Sequence, residues 1–393
     1  MNVRNRAADV ASRTDVLAAV DLIGSTDDRT VETQIELSEI PAPPFGEEHR
    51  ARRMLELSEA AGLGAPHIDA VGNVVASRQG TAALPPLVVS AHLDTIFPAG
   101  TDVTVRRDGN LLRGPGISDD ARGLTAMLTI ARALESASIF TEVPLLFVAT
   151  VGEEGPGDLR GVKHLFSDAG AAHQAAGFIS LDGAGLERIV VNGLGSRRFR
   201  ITSRGPGGHS WTDWGTPNPI SALMEVGRRL NRIKLCANPQ STLTLSRVGG
   251  GTSINAIPQN AWLEIDTRSS DGQQLDGIEV SLRDIVRSVG SEWSALTFEL
   301  SVIGNRPGGS TPVAHPLVEA AVAATHHQNR TPVMALSSTD ANIPMSLGIA
   351  ALTLGCGGEA GQAHTTDEWY RNQAGPEGII RALHTVLLFA GVA

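Results

Sequence analysis

Cysteine is scarce in this chain of 393 residues, with only Cys236 and Cys356. They lie far apart and imply no disulfide framework, which points to a reducing cytosol. Long apolar runs are missing too. The N-terminus mixes Arg and Asp with short apolar stretches, so neither a signal peptide nor a transmembrane span is expected. No basic cluster stands out, and 32 Lys and Arg against 42 Asp and Glu give a net charge of −10. Nucleic acid and anionic membrane surfaces are therefore excluded as expected partners. Internal repeats and low-complexity tracts are also lacking. What is there is globular composition, 41% hydrophobic and 19% charged. The length exceeds what one core usually supports, so two domains are expected.

The first forty residues read as two helices, with Ser25 or Thr26 capping the second and Pro41 to Pro44 stopping it. A further helix fits Glu47 to Ala61. Short apolar runs at Pro86 to Ala91, Leu145 to Val151, Gly177 to Leu181 and Ala350 to Leu354 read as buried strands of an α/β sheet. Helices fit Asp120 to Ser136, His315 to His327 and Gly378 to Ala390. Between about Gly195 and Arg306 the pattern changes to strand, helix, two strands, helix and strand. That is an α+β unit of small-domain size inserted into a larger one.

Metal-seeking side chains stand at the edges of the apolar runs. His92 and Asp94 follow the first, Glu153 and Glu154 the second, Asp182 the third, and His364 the glycine-rich stretch after the fourth. Asp119 precedes a helical stretch, where it, Ser118 or Asp120 could equally serve as the cap. Imidazole and carboxylate together suit zinc in an open site. Two imidazoles and several carboxylates suffice for two ions sharing one carboxylate, with one Glu left as a base. Carboxyl ends of strands are where open α/β sheets bind ligands. Within the inserted unit, His209 lies in a glycine loop and Asn255 in a turn. Arg268 either pairs with Asp266 or Asp271 or clamps a substrate carboxylate. Gly357 and Gly358 let backbone approach a ligand closely.

These strings resemble the dinuclear zinc peptidase family that includes peptidase T, bacterial glutamate carboxypeptidase, aminoacylase and acetylornithine deacetylase. The resemblance runs from about Glu32 to the C-terminus and is nearest in flavour to peptidase T. Its carriers are Ser90 to Thr95, Ser118 to Asp120, Gly152 to Gly155, Gly207 to Ser210, Asn255 to Pro258, Ser338 to Asn342 and His364 to Glu368. It implies an α/β catalytic domain of residues 1–194 and 307–393, with a mixed sheet flanked by helices. Residues 195–306 would be an inserted α+β lid and dimerisation domain.

By the same resemblance His92 and Asp182 would bind one zinc ion, Glu154 and His364 the other, and Asp119 would bridge them. Cobalt or manganese could replace zinc. Glu153 would be the general base, Asp94 its supporting carboxylate, and His209 an oxyanion donor in its own or the partner subunit's site. Asn255, Arg268, Gly357 and Gly358 would meet substrate. The implied protein is a cytoplasmic homodimer that hydrolyses di- or tripeptides or N-acyl amino acids. One departure stands out: many members carry Lys after the Asp-Asp pair, where this chain has Ala121 and Arg122. Two alternatives remain, a single-domain di-zinc aminopeptidase and a non-catalytic binding protein that keeps the fold.

Overall fold

The computed structural model describes residues 3–393, with side chains from Arg6 onward. The chain divides into two compact units, Met1–Gly193 with Ser310–Ala393, and Leu194–Gly309. No helix among the described residues is long and apolar enough to cross a membrane.

The larger unit is built on a mixed sheet. Its strands run in the order Gly64–Ile68, Val74–Arg78, Leu145–Thr150, Leu87–His92, Gly177–Leu181, Ala351–Leu354 and Arg188–Gly193, with Val333–Ser337 beside the last. The four central strands, Leu145–Thr150 to Ala351–Leu354, are parallel to one another. Every residue of these four is buried. Helices cover both faces, which is why the strands read as continuous apolar runs without polar alternation. Alternate residues serve separate cores: Leu87, Val89 and Ala91 join one cluster, and Val88, Leu146 and Val148 the other. Each fully buried Leu or Val contributes roughly 1.5–3 kcal/mol relative to exposure.

The expected helices are present, with shifted ends. The N-terminal forty residues hold three helices, Val3–Ala11, Thr14–Ser25 and Asp27–Ser38, where the sequence suggested two. Thr26 does not cap with its side chain, because its hydroxyl instead donates to Leu22 O at 2.7 Å. The last helix starts at Gly375, three residues before the expected Gly378, because Pro376 fits a first helical turn. Several short strands were not foreseen, among them Gly64–Ile68, Val74–Arg78 and Arg188–Gly193.

A second antiparallel sheet of short strands positions two site loops. It runs Glu359–Gly361, Trp369–Arg371, Leu111–Arg113 and Arg106–Asp108. Tyr370 lies opposite Leu112. The pairing brings the loop 362–368 beside the turn 114–120, although about 250 residues separate them in sequence.

The smaller unit is a four-stranded antiparallel sheet in the order Ser241–Gly250, Asn260–Ser269, Gly195–Arg204 and Thr297–Arg306. Helices Pro219–Leu230 and Gly272–Glu292 pack on it through Leu223, Val226, Leu282 and Val289, against Phe199, Ile201, Leu263 and Ile265. Asn218 and Asp271 cap these helices, accepting from Ile220 N and Gln273 N at 2.9 Å each.

Candidate metal centre

His92 is the last residue of its strand. Its Nδ1 donates to the Asp94 carbonyl at 2.9 Å, and its Nε2 faces Asp119 Oδ1 at 2.9 Å. A carbonyl partner keeps a proton on Nδ1, so once Nε2 gives up its own proton the ring would offer that nitrogen's lone pair to a cation. Burial opposes charge on the ring. The Asp119 hydrogen bond and the charges of Asp120, Asp119 and Glu153 overcome it and hold His92 well above the ordinary histidine range.

The Asp-Asp pair divides two tasks. Asp120, fully buried, caps helix Ala121–Ser136: its Oδ1 accepts from Gly123 N at 2.9 Å and Gly183 N at 3.1 Å. Its Oδ2 accepts from His92 N at 3.0 Å. One carboxylate thus ties the helix to two strand ends. A Cβ on Gly123 would stand 2.3 Å from Leu181 O, so only glycine lets the helix start against that strand. Asp119, relieved of capping, receives His92 on Oδ1 and His364 Nε2 on Oδ2 at 3.1 Å. Burial raises its pKa, but the two imidazole hydrogen bonds prevail and hold it below the usual carboxylate range.

Asp94 works through backbone. Its Oδ1 accepts from Glu153 N at 2.9 Å and its Oδ2 from Glu154 N at 2.8 Å, which fixes the turn after strand Leu145–Thr150. Burial pushes Asp94 up to about 6. Asp182 follows strand Gly177–Leu181 and is pushed up to about 7, by burial first and then by the charge of Asp119. His364, about half exposed, contacts Glu154 Oε1 at 2.9 Å as well as Asp119. Hydrogen bonds with Asp119 and Glu154 push it up to about 11.

The donor atoms form two overlapping sets. One is His92, Asp119 and Asp182; the other is Asp119, Glu154 and His364; within each, all the donor atoms lie within 4.8 Å of one another. Asp119 belongs to both. Glu153 meets the same criterion with His92 and Glu154. Crowded carboxylates, with the pKa values of Asp94 and Asp182 raised by burial, describe a site whose negative charge a cation would balance. Imidazole nitrogen with carboxylate oxygen is a donor chemistry that zinc accepts.

Several supports escaped the sequence reading. Glu368, 1% exposed, accepts from Gly116 N at 2.9 Å, Ser118 N at 2.8 Å and Asp119 N at 3.0 Å. The buried Arg50 donates to Leu93 O at 2.8 Å and to Ile40 O, bracing the segment between His92 and Asp94. Arg122 is fully buried, donating to Cys356 O at 2.9 Å and Gly375 O at 2.7 Å with its guanidinium over the Tyr370 ring. It holds the Gly357 loop through these bonds. Gly357 and Gly358 have left-handed backbones, and a Cβ on them would meet Gly375 O at 2.3 Å and the Tyr370 ring at 2.4 Å. Both glycines therefore have a packing reason within the unit.

In the smaller unit His209 lies in a two-residue strand paired with Ala256. Its Nδ1 accepts from Trp211 N at 3.2 Å and Thr212 N at 3.4 Å. Asn255 Oδ1 accepts from Ser253 Oγ at 2.6 Å. Arg268 Nε donates to Asp266 Oδ2 at 2.8 Å, while Asp271, the other expected partner, caps a helix.

Residues 88–388 match peptidase family M20/M25/M40. The chain belongs to that family. Among curated relatives, a probable carboxypeptidase of Aspergillus terreus is 26% identical over 245 residues, 56% of this chain and 55% of the relative. The chain thus spans about half the length of the curated relatives it matches. A Staphylococcus aureus tripeptidase structure is 22% identical, covering 92% of this chain and 98% of its own with a TM-score of 0.75. A dinuclear metal-binding M20 peptidase of Bacillus subtilis is 16% identical, covering 93% and 99% with a TM-score of 0.69. At these identities the two structures establish the M20 fold.

Proposed function

We propose that this M20 protein is a metal-dependent hydrolase that cleaves an amide or peptide bond in a small substrate, a di- or tripeptide or an N-acyl amino acid. The observation that carries the reading is the pair of donor sets sharing Asp119. His92 and Asp182 would hold one zinc ion, Glu154 and His364 the other, with Asp119 available to both; cobalt or manganese suits the same donors. Bound there, the ions supply Lewis-acid polarisation of the scissile carbonyl and acidify a water.

The chain's own groups do the rest. Glu153, set by the Asp94 hydrogen bond to its N–H, takes the proton of the attacking water and delivers it to the leaving amine. His209 accepts on Nδ1, so its neutral ring carries the proton on Nε2 and donates to the developing oxyanion. Asn255 and the backbone at Gly357 and Gly358 contact substrate. Arg268 spends only Nε on Asp266, which leaves its terminal nitrogens for a substrate carboxylate. Residues 194–309 act as the lid. The names of the fungal relatives and of the staphylococcal structure support peptides as substrates.

The protein assembles as a homodimer through the smaller unit. Strand Ser241–Gly250 is an open edge of its sheet. Beside it lies a groove of about 510 Å³ lined by Ile220, Leu223, Met224, Leu245 and Val248. Met224 and Val248 are each 71% exposed. An unpaired edge next to exposed apolar surface suits pairing with a second copy. Free Cys236 and Cys356 suit a cytoplasmic protein.

The test is metal analysis combined with hydrolysis of dipeptides, tripeptides and N-acyl amino acids before and after chelation. Two metal equivalents per chain, with turnover lost on chelation and regained with zinc, support the reading. Turnover indifferent to chelation overturns it.

A further inference from the structure

Two tryptophans stand almost bare in water beside His209. Trp211 is 84% exposed and Trp214 88%, and Ile254 on the adjoining loop is fully exposed. Solvent-facing turns ordinarily carry Gly, Asn, Asp and Ser, and large exposed apolar groups mark contact surfaces.

The turn that bears them is ordered by its own hydrogen bonds. Asp213 Oδ2 accepts from His209 N at 2.7 Å, and Asp213 N donates to His209 O at 3.0 Å. The Trp211 and Thr212 N–H groups both point at His209 Nδ1. Gly208 has a positive φ and lies so close to Asp213 that a Cβ would stand 2.8 Å away. Ser210 N donates to Asn255 O at 3.0 Å, which ties this turn to the loop carrying Ile254. The imidazole, the indoles and Ile254 therefore form one preorganised piece. Wherever His209 Nε2 is presented, Trp211 is presented with it.

The chemistry of the piece limits what it can read. Between His209 and Thr216 the only ordinarily charged side chain is Asp213, and its carboxylate is spent inside the turn. That stretch itself brings no Lys or Arg for a substrate carboxylate. Two indoles and an isoleucine instead offer flat, low-entropy apolar area of the sort that anchors binding hot spots.

We propose that Trp211, Trp214 and Ile254 form the specificity surface of the enzyme, selecting substrates that carry a bulky apolar or aromatic group near the scissile bond. The proposal rests on the reading of His209 as the oxyanion donor. Substrate is the occupant because the surface shares its hydrogen bonds with that imidazole.

The experiment measures kcat/KM of the zinc-loaded full chain on Ala-Ala-Ala, its three singly Phe-substituted forms, N-acetyl-alanine and N-acetyl-phenylalanine. At least one Phe substrate is expected to exceed its Ala counterpart by about 10- to 200-fold, the range a hydrophobic pocket supplies. Trp211→Ala and Trp214→Ala lower that Phe-to-Ala ratio about ten-fold or more, and Trp211→Phe restores most of it. A structural fault alone would slow both substrates alike and leave the ratio untouched. Wild type active without Phe preference, or a ratio unchanged in both Ala variants, overturns the specificity surface and leaves the hydrolase reading standing. Variants that keep the ratio but dissociate a dimer assign the patch to a second copy and equally overturn it. Wild type inactive on every substrate overturns both.

Discussion

Glu368 lies beneath the turn that carries Asp119 and accepts its N–H at 3.0 Å, together with the N–H groups of Gly116 and Ser118. A buried carboxylate that satisfies three backbone donors fixes the direction of the next side chain along. Burial pushes Glu368 up to about 7, against the pull of those same hydrogen bonds. Its role is positioning: it holds the carboxylate shared by both donor sets.

Glu368→Gln is expected to weaken metal binding by about 10- to 100-fold, the usual loss when a support behind a ligand is removed. The amide nitrogen would oppose one of the backbone donors that the carboxylate now accepts. Competitive zinc titration against a chromophoric chelator reads the effect. Affinity equal to wild type would remove Glu368 from the support of Asp119.

Glu153 and Glu154 are adjacent, yet the proposed mechanism gives them different duties, so their substitutions should separate. Glu153→Gln is expected to keep its metal content and lose kcat by about 100- to 10,000-fold, the range of a missing general base. Glu154→Gln is expected to lose metal along with activity. Metal analysis of both purified variants beside single-turnover rates makes the comparison. Equal metal loss in the two would return Glu153 to the ligand set.

Arg122 answers a question that its sequence position raised. The M20 resemblance puts Lys after the Asp-Asp pair in many members, and here the cation is spent on Cys356 O and Gly375 O beside Tyr370. A lysine ammonium is a single point and cannot span the two carbonyls as a planar guanidinium does. Arg122→Lys is expected to cost about 2–4 kcal/mol of stability, from weakened charge-assisted bonds in a buried place. Urea unfolding measures it, and a midpoint within error of wild type would show the two carbonyls to be indifferent to the fork.

What the sequence disclosed and what it hid divide along one physical line. The strands that end in His92, Thr150, Leu181 and Leu354 were legible because parallel strands buried on both faces must be apolar throughout. His92, Asp119, Glu154, Asp182 and His364 stood out because residues of that chemistry follow strand and loop ends in order, and folding brings their donor atoms into two overlapping sets. Glu368 and Arg50 were opaque as supports, since each acts on backbone brought close only by folding, whereas Asp120 was among the expected caps and only its ties to His92 N and Gly183 N were hidden. Glu368 meets its partners across about 250 residues of chain. Thr26 misled for a related reason: a threonine at a helix boundary can cap forward or bond backward, and here it bonds to Leu22 O. Val74–Arg78 was missed because Ser77 and Arg78 interrupt its apolar run, unlike the equally short and uncharged Gly177–Leu181.

His384 supplies a pH test outside the metal donor sets. It lies on helix Gly375–Ala390, 4% exposed, and neither ring nitrogen has a hydrogen-bond partner among the described residues. The His327 ring packs against it edge-on at 5.2 Å. Burial, and then the neighbouring His327, lower His384 from 6.5 to about 4. In the unfolded chain the ring takes a proton near 6.5, whereas in the folded chain it resists until about 4. The unfolded state therefore binds more protons across that interval, and stability falls as pH drops from 6.5 toward 4. At 1.36 kcal/mol per unit the full loss is about 3 kcal/mol. Above pH 7 the group contributes no slope. His384→Leu removes the titration, so the wild-type minus variant difference in unfolding free energy should be flat above pH 7 and turn against wild type below 6.5. Urea midpoints measured from pH 8 to pH 5 follow that difference directly. A difference that stays constant across the whole range would mean that His384 titrates alike in folded and unfolded chains.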